Sequence, residues 1–396
     1  MYVIDDTQPI FFDEVSRALT GRGVSSLPLS NYEPSKLLKP TAIYISAAAK
    51  NLNCESNPQL IDFFKTNKFK KAYFLQWNCS SLEIENYYNS AINVFKVPCA
   101  DNFSEIMTTF FLHRFFELVL HRAPNLPCAS ERSMKLMQLI KKIAPTDATV
   151  LISGPTGTGK EVLSNLVHNY SNRRESPFVA LNCAAIPEQM LESILFGHEK
   201  GAFTGALQAN QGLVRAASGG TLLLDEISEM PLTLQSKLLR VIQEKKVMPI
   251  GSAVEIDVDV RIIATTNRNM INEVKAGSFR EDLFYRLNVF PIDNESLERR
   301  VEDVVPIVAH LISKPFFQKQ EIYSISQDAL LALMKHDWPG NVRELDNLIQ
   351  RALILCEAKS INLDDLIFDG DGSSSAPNTA EVLASKLKST EASEVL

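Results

Sequence analysis

Val150-Leu-Ile-Ser-Gly-Pro-Thr-Gly-Thr-Gly-Lys-Glu161 decides the fold. An apolar run from Thr149 to Ile152 reads as a strand, a glycine-rich turn follows, and a helical pattern begins near Lys160. Gly154, Gly157 and Gly159 let the backbone curl around Pro155, Thr156 and Thr158 so that successive N–H groups face an anion. The start of the helix adds the positive end of its dipole, and Lys160 supplies a point charge. A strand feeding such a turn and then a helix is a phosphate-binding loop at the opening of an α/β domain. Glu161 departs from the general pattern, because it stands where a Ser or Thr hydroxyl ordinarily meets magnesium.

Outward from this loop, 396 residues are too many for one core, so two or three domains are expected. A hydrophobic content of 45% and a charged content of 22% describe an ordinary globular protein. The net charge of −7 gives no global basic footprint for nucleic acid, though it leaves room for a local patch. Six scattered cysteines without a C-x-x-C pair read as reduced and mostly buried, in a cytoplasmic protein. Neither a signal peptide nor a membrane-spanning apolar run is expected.

Residues 1–122 alternate apolar runs (Tyr2 to Ile4, Ala42 to Ile45, Ala72 to Leu75, Ile92 to Phe95) with helical stretches (Phe12 to Leu19, Phe103 to Leu120). Such alternation predicts a doubly wound parallel sheet with helices on both faces. The layout resembles a response-regulator receiver domain. Asp5 and Asp6 match its metal-binding acids and Lys96 its late lysine, but Ser46-Ala-Ala-Ala49 offers no carboxylate to phosphorylate. The resemblance therefore implies a receiver-shaped regulatory domain without phosphorylation chemistry. Residues 123–129 read as a linker, and Ser130 as the cap of a helix from Glu131 to Ile143. An α/β nucleotide domain follows over 130–296, then an all-helical lid over 297–368 and a linker-like tail over 369–396.

Thr221-Leu-Leu-Leu-Asp-Glu226 is an apolar strand that delivers two acids to its C-terminal edge. Asp225 is expected to hold magnesium and Glu226 to activate the attacking water. Asn267 ends the strand Arg261-Ile-Ile-Ala-Thr-Thr-Asn267, and Asn182 ends another; both are placed near a terminal phosphate, although either alone reads more readily as a turn residue.

Phe196-Gly-His-Glu-Lys-Gly-Ala-Phe-Thr-Gly-Ala206 contains GAFTGA. With Gly-Lys-Glu at 159–161, it resembles the central AAA+ domain of bacterial enhancer-binding proteins, activators of sigma-54 RNA polymerase, over roughly Ser130 to Ile367. Within that family Glu161 is usual. The resemblance implies ATP and Mg2+ as cofactors and a homo-oligomer from dimer to hexameric ring. It implies that Gly201, Ala202, Phe203, Thr204, Gly205 and Ala206 meet the sigma factor, supported by a second loop at Ile250 to Glu255. Arg280 and Arg286 match arginine fingers supplied to a neighbouring subunit, Arg343 a lid arginine that senses nucleotide, and Asn182 a residue holding the catalytic glutamate.

The lid connection, Asn294 to Asp303, departs from the family's Pro-Leu-Arg-Glu-Arg run. No helix-turn-helix follows the lid, so either enhancer DNA is met through a domain outside this sequence or the protein works without a DNA reader of its own. The chain looks most like flagellar master regulators, which join a receiver-like domain lacking its phosphoacceptor to stretches like Asp337–Arg343 and Phe279–Pro291 here, and some of which bind cyclic di-GMP near the phosphate loop; Arg173 and Arg174 are the candidates, with Arg122 offset from the position a linker arginine would need. The alternative reading is a non-hydrolysing regulator responsive to nucleotide or cyclic di-GMP.

Overall fold

The computed structural model describes residues 1–36, 41–47, 58–99, 102, 105–121, 123–204, 206–319 and 321–368. Ala48, Ala49, Cys54, Phe103, Arg122, Gly205 and the tail from 369 lie outside the described residues. The chain divides into two compact units. One gathers Met1–Lys135, Arg300–Pro339 and Glu344–Leu396, and the other Leu136–Arg299 with Gly340–Arg343.

The first unit opens with β1 (Tyr2–Ile4), α1 (Pro9–Gly21), β2 (Ser26–Pro28), β3 (Ala42–Ala47), α2 (Pro58–Thr66), β4 (Phe69–Gln76), β5 (Glu83–Tyr87), β6 (Ile92–Lys96) and α3 (Ile106–Leu120). Its sheet runs β2-β1-β3-β4-β6-β5. The first five strands of that order are parallel, as the alternation predicted. The last is not: β5 pairs antiparallel with β6, and no helix stands between β4 and β6. Tyr88, Asn89 and Ser90 all take positive φ, which reverses the chain tightly enough for a hairpin there. Alternate side chains of β4 feed opposite faces, with Ala72 and Phe74 in one core and Tyr73 and Leu75 on the other side, all buried.

In the second unit, α4 (Glu131–Ile143) leads in from the first. The elements that follow are β7 (Val150–Ser153), α5 (Lys160–Asn169), β8 (Phe178–Asn182), α6 (Glu188–Phe196), α7 (Leu213–Ala216), β9 (Thr221–Asp225), α8 (Leu232–Glu244), β10 (Lys246–Val247), β11 (Ile256–Asp257), β12 (Arg261–Thr266), α9 (Met270–Lys275), α10 (Glu281–Leu287) and β13 (Phe290–Asp293). The sheet is all parallel in the order β13-β7-β12-β9-β8. Leu222, Leu223 and Leu224 are at most 1% exposed, which is why β9 reads as an unbroken apolar run instead of an alternating one.

The first unit resumes with α11 (Val304–Lys319), β14 (Ser324–Ile325), α12 (Gln327–Lys335), α13 (Asn341–Leu355) and β15 (Ser360–Ile361). The all-helical expectation for this stretch needs correction, because β14 and β15 pair as a short parallel ladder. Two-residue strands leave no periodicity to read. Trp338 is 1% exposed and donates its indole N–H to the Leu333 carbonyl at 2.9 Å, closing α12.

Candidate functional site

The second unit builds its site at the C-terminal ends of β7, β9 and β12, adjacent strands of one sheet. The loop after β7 is shaped by its glycines. Gly157 has φ +79, and a Cβ there would fall 2.4 Å from the Gly340 carbonyl. Gly154 is pressed in the same way on Asn294. Gly159, at φ +98, caps α5, and a Cβ on it would meet nothing within 4 Å. The loop is therefore walled on two sides and open at the helix N-terminus, the geometry that receives an anion.

Lys160 Nζ lies inside this cradle, donating to the carbonyls of Gly154 at 2.9 Å and Pro155 at 3.2 Å. Burial lowers its pKa, opposed by the carboxylates of Glu226 and Asp225, and Arg343 adds to the lowering. Asn267 donates to Thr156 Oγ1 at 3.2 Å, and Arg343 N–H to the Gly157 carbonyl at 3.3 Å. Thr158 turns its hydroxyl to the Pro155 carbonyl at 2.8 Å, and Glu161 points to solvent from the first turn of α5.

Glu226 has φ +52, a left-handed conformation uncommon outside glycine. Its Oε2 is buried without a hydrogen-bond partner among the described residues. A buried carboxylate oxygen left unpaired costs stability unless a ligand or water satisfies it. Thr265 joins the two acids: its hydroxyl donates to Asp225 Oδ1 and accepts the Glu226 N–H at 3.2 Å. Asn182 donates to Asp225 Oδ2 at 3.1 Å, beside the Glu226 that the resemblance has it hold in a nucleotide-dependent way.

Sequence reading missed Thr265, which its position inside a buried strand disguised as core. It also missed the roles of Asn294, which donates to the Thr158 carbonyl at 3.1 Å, and Asn341, which donates to the Thr156 carbonyl at 3.1 Å. Arg280 and Arg286 are not brought to this cluster. Arg280 pairs with Asp282 at 2.8 Å, and both arginines are exposed at α10.

The second loop pair stands on β-bridges. His198 pairs with Asn210 and Ile250, so the 250–255 segment does brace the 201–206 turn. Gly201 and Ala206 close that turn at 2.9 Å. Phe203 is 46% exposed, and its ring leans on the His198 imidazole at 4.9 Å, while Thr204 faces solvent. Gly251 packs on Ala202 so closely that a Cβ would fall 2.8 Å from the alanine methyl.

Arg173, expected to be available for a dinucleotide, is engaged elsewhere: it bridges Asp147 and Asp259, each at 2.9 Å, and these hydrogen bonds raise its pKa. Arg174 is exposed beside Glu175. The five described cysteines are free, but only Cys128 and Cys183 are buried, fewer than expected.

In the first unit, the acid cluster is self-satisfied. Asp5 Oδ2 accepts from Ser46 at 2.7 Å and Tyr44 at 2.9 Å, and Oδ1 from the Thr7 N–H at 3.0 Å. Burial would raise the Asp5 pKa, yet these bonds outweigh it and hold it low. Lys96 is paired with Glu85 of β5.

The same unit carries a buried charge cluster. Arg22, fully buried, meets Glu117 Oε1 at 2.5 Å and His113 Nδ1 at 3.0 Å; His310 of α11 meets Glu117 Oε2 at 2.7 Å. Burial opposes ionisation of Glu117, but Arg22 and His310 overcome it and bring its pKa to about 2. Asp303, 0% exposed, accepts from the Ala129 and Ser130 N–H groups at 2.8 and 2.7 Å and from the Ser130 hydroxyl at 3.0 Å.

An all-parallel sheet with an anion cradle at the end of β7 and paired acids at the end of β9 defines a P-loop nucleoside-triphosphatase domain. Residues 126–293 match the sigma-54 interaction domain family and residues 298–382 the AAA+ ATPase lid domain. Over these two stretches the chain is similar to a sigma-54 interaction domain followed by an AAA+ lid.

Among similar proteins are the response regulator FleR of Pseudomonas aeruginosa, 53% identical over 59% of this chain and 50% of the relative, and the Nif-specific regulatory protein of Enterobacter agglomerans, 45% identical over 61% and 46%. The sigma-54-dependent regulator SfnR of Pseudomonas fluorescens is 46% identical over 59% of this chain and 64% of its own. The chain spans about half the length of the curated relatives it matches. NtrX from Brucella abortus, solved with ADP, aligns with a TM-score of 0.59 at 26% identity, over 97% of this chain and 88% of that one. No helix among the described residues is long and apolar enough to cross a membrane.

Proposed function

We propose that the chain hydrolyses ATP to remodel sigma-54 RNA polymerase at promoters. The observation that carries this reading is the buried, unpaired Oε2 of Glu226, in the site where the glycine cradle and Lys160 face the Asp225 end of β9. In the reading, the cradle and Lys160 hold the phosphates of ATP. Mg2+ supplies charge neutralisation there when bound, with Asp225 as the carboxylate that would hold it; no cluster of three metal-ligating side chains is found among the described residues, and magnesium on a nucleotide requires only one or two protein carboxylates. Glu226 orients and deprotonates the attacking water, and Asn267, Asn182 and Arg343 register the terminal phosphate.

Arg280 and Arg286, exposed and away from their own cradle, complete the site of a neighbouring copy in a ring. Phe203 and Thr204 on the 201–206 turn contact the sigma factor, with Gly205 in the same loop. A cytoplasmic location and control of enhancer-linked promoters, flagellar genes among them, follow from this reading. The front domain, whose acids are self-satisfied, governs the ring without phosphorylation. Binding of cyclic di-GMP at Arg173 and Arg174 would require Arg173 to give up its bridge between Asp147 and Asp259.

The test is ATPase rate against protein concentration. Specific activity rises with concentration if the arginines act in trans. Mixing inactive Glu226→Gln with inactive Arg286→Ala chains restores turnover at mixed interfaces. Activity independent of concentration, with no rescue in the mixture, would refute the shared site.

A further inference from the structure

The front sheet has an opening at the edge away from Asp5. A cavity of about 560 Å³ lies between the end of α2, the start of β4 and the β5–β6 turn. Its floor is the buried trio Phe69, Ala72 and Ile92. Phe64 and Tyr88 form walls, and Tyr88 is 44% exposed, an aromatic ring left half in water.

A β-bulge shapes the rim. Ala42 pairs with Phe69, but Ile43 pairs with Lys71, so one extra residue is accommodated at Lys70. The bulge lets Phe69 share the core face with Ala72 and sends Lys70 and Lys71 to the mouth, where Lys65 and Lys68 join them. Lys65, Lys70 and Lys71 have no ion-pair partner among the described residues. Four ammonium groups thus ring an apolar hollow in a chain whose net charge is −7. The volume lies within the range of small-molecule sites, about 300–1,000 Å³.

We propose that this cavity is an effector site for a small amphipathic organic anion, with an aliphatic or aromatic body in the hollow and a carboxylate, sulfonate or phosphate end among the lysines. The apolar body gains by leaving water against Phe64, Phe69 and Tyr88. The anionic end selects this mouth over neutral apolar compounds through charge, an attraction that weakens with salt. Such a site gives the front domain an input that its self-satisfied acid cluster does not provide. It stands apart from ATP turnover, because binding is read directly.

The experiment uses the full chain titrated with 1-anilinonaphthalene-8-sulfonate, followed by fluorescence and by calorimetry, with dodecanoate as competitor. Saturable one-site binding displaced by dodecanoate is expected. Lys70→Glu with Lys71→Glu should weaken it at least tenfold at low salt. Ala91→Trp, which fills the mouth without touching the charges, should abolish it. The proposal is overturned by an absence of saturable binding or by equal affinity in both variants. It is equally overturned if the signal follows the dimer fraction in sedimentation, which would make the face an interface between copies.

Discussion

Replacing Glu117 by Gln leaves its shape and its hydrogen-bonding reach nearly intact but removes the charge that balances Arg22. The guanidinium is fully buried, and the glutamate side chain is 6% exposed, so water cannot take over. A carboxyl at about 2 in the fold against an ordinary 4.5 corresponds to about 3 kcal/mol of stabilisation of the ionised form. Breaking a buried pair by removing one partner costs about 3–5 kcal/mol on general grounds, in agreement. Both tryptophans, Trp77 and Trp338, belong to the first unit and are at most 7% exposed, so tryptophan fluorescence reports that unit alone. Urea unfolding of the full chain, followed by that signal, should show Glu117→Gln less stable by about 3 kcal/mol. The double variant Arg22→Met/Glu117→Leu, which removes both charges, should recover most of the loss. A loss below about 1 kcal/mol, or a double variant as unstable as the two single changes summed, would show that the pair is not coupled and the reasoning is wrong.

Acid should act on the same cluster. His113 is kept neutral by burial and by Arg22, far below its ordinary 6.5, so the unfolded chain takes up that proton first and stability falls as pH drops through about 6.5. Glu117 adds a second loss as pH falls from 4.5 towards about 2, and a pH series of unfolding midpoints should show both, at up to about 1.4 kcal/mol per pH unit for each proton. Glu226→Gln should lower ATP turnover by about 10²–10⁴-fold with nucleotide binding retained, checked by steady-state rate and calorimetry. Thr265→Val removes the hydroxyl that joins Asp225 and Glu226; kcat should fall about 10–100-fold with little change in KM, and an unchanged kcat would free Thr265 of that role. Gly157→Ala places a methyl 2.4 Å from the Gly340 carbonyl at a positive φ, so nucleotide affinity should collapse, whereas a chain that binds normally would mean the cradle adapts.

Much of the nucleotide site was legible because its chemistry is local. Glycines at 154, 157 and 159, a lysine and a helix follow one another in sequence, and the acids of β9 end an apolar run. The cross-chain parts were not legible. Asn294 and Asn341 reach the loop from far along the sequence, and Asn294 lies where the family pattern is broken. Thr265 looks like any β-branched strand residue until its hydroxyl is seen between the two acids. In the front domain, β1, β3, β4 and β6 follow from alternation, but β2 and β5 were not foreseen, β5 arising where three consecutive left-handed residues turn the chain back. No apolar period announces that event. The partner of Arg22 was equally hidden, since charge pairing over 95 residues leaves no mark in either segment.

α3 is buried nearly all the way round, its Phe110, Phe111, Leu112, Phe115 and Phe116 as well as its polar His113, Arg114 and Glu117. One side stacks Phe115 on Phe95 of the sheet, and the helix also packs along α11 beyond the linker. The receiver-like segment and the lid helix therefore share one hydrophobic interior. A chain started at Ala129 would therefore lose more than its front segment. Its lid helix would present a bare apolar face and His310 would be parted from Glu117, so its behaviour would report that damage first.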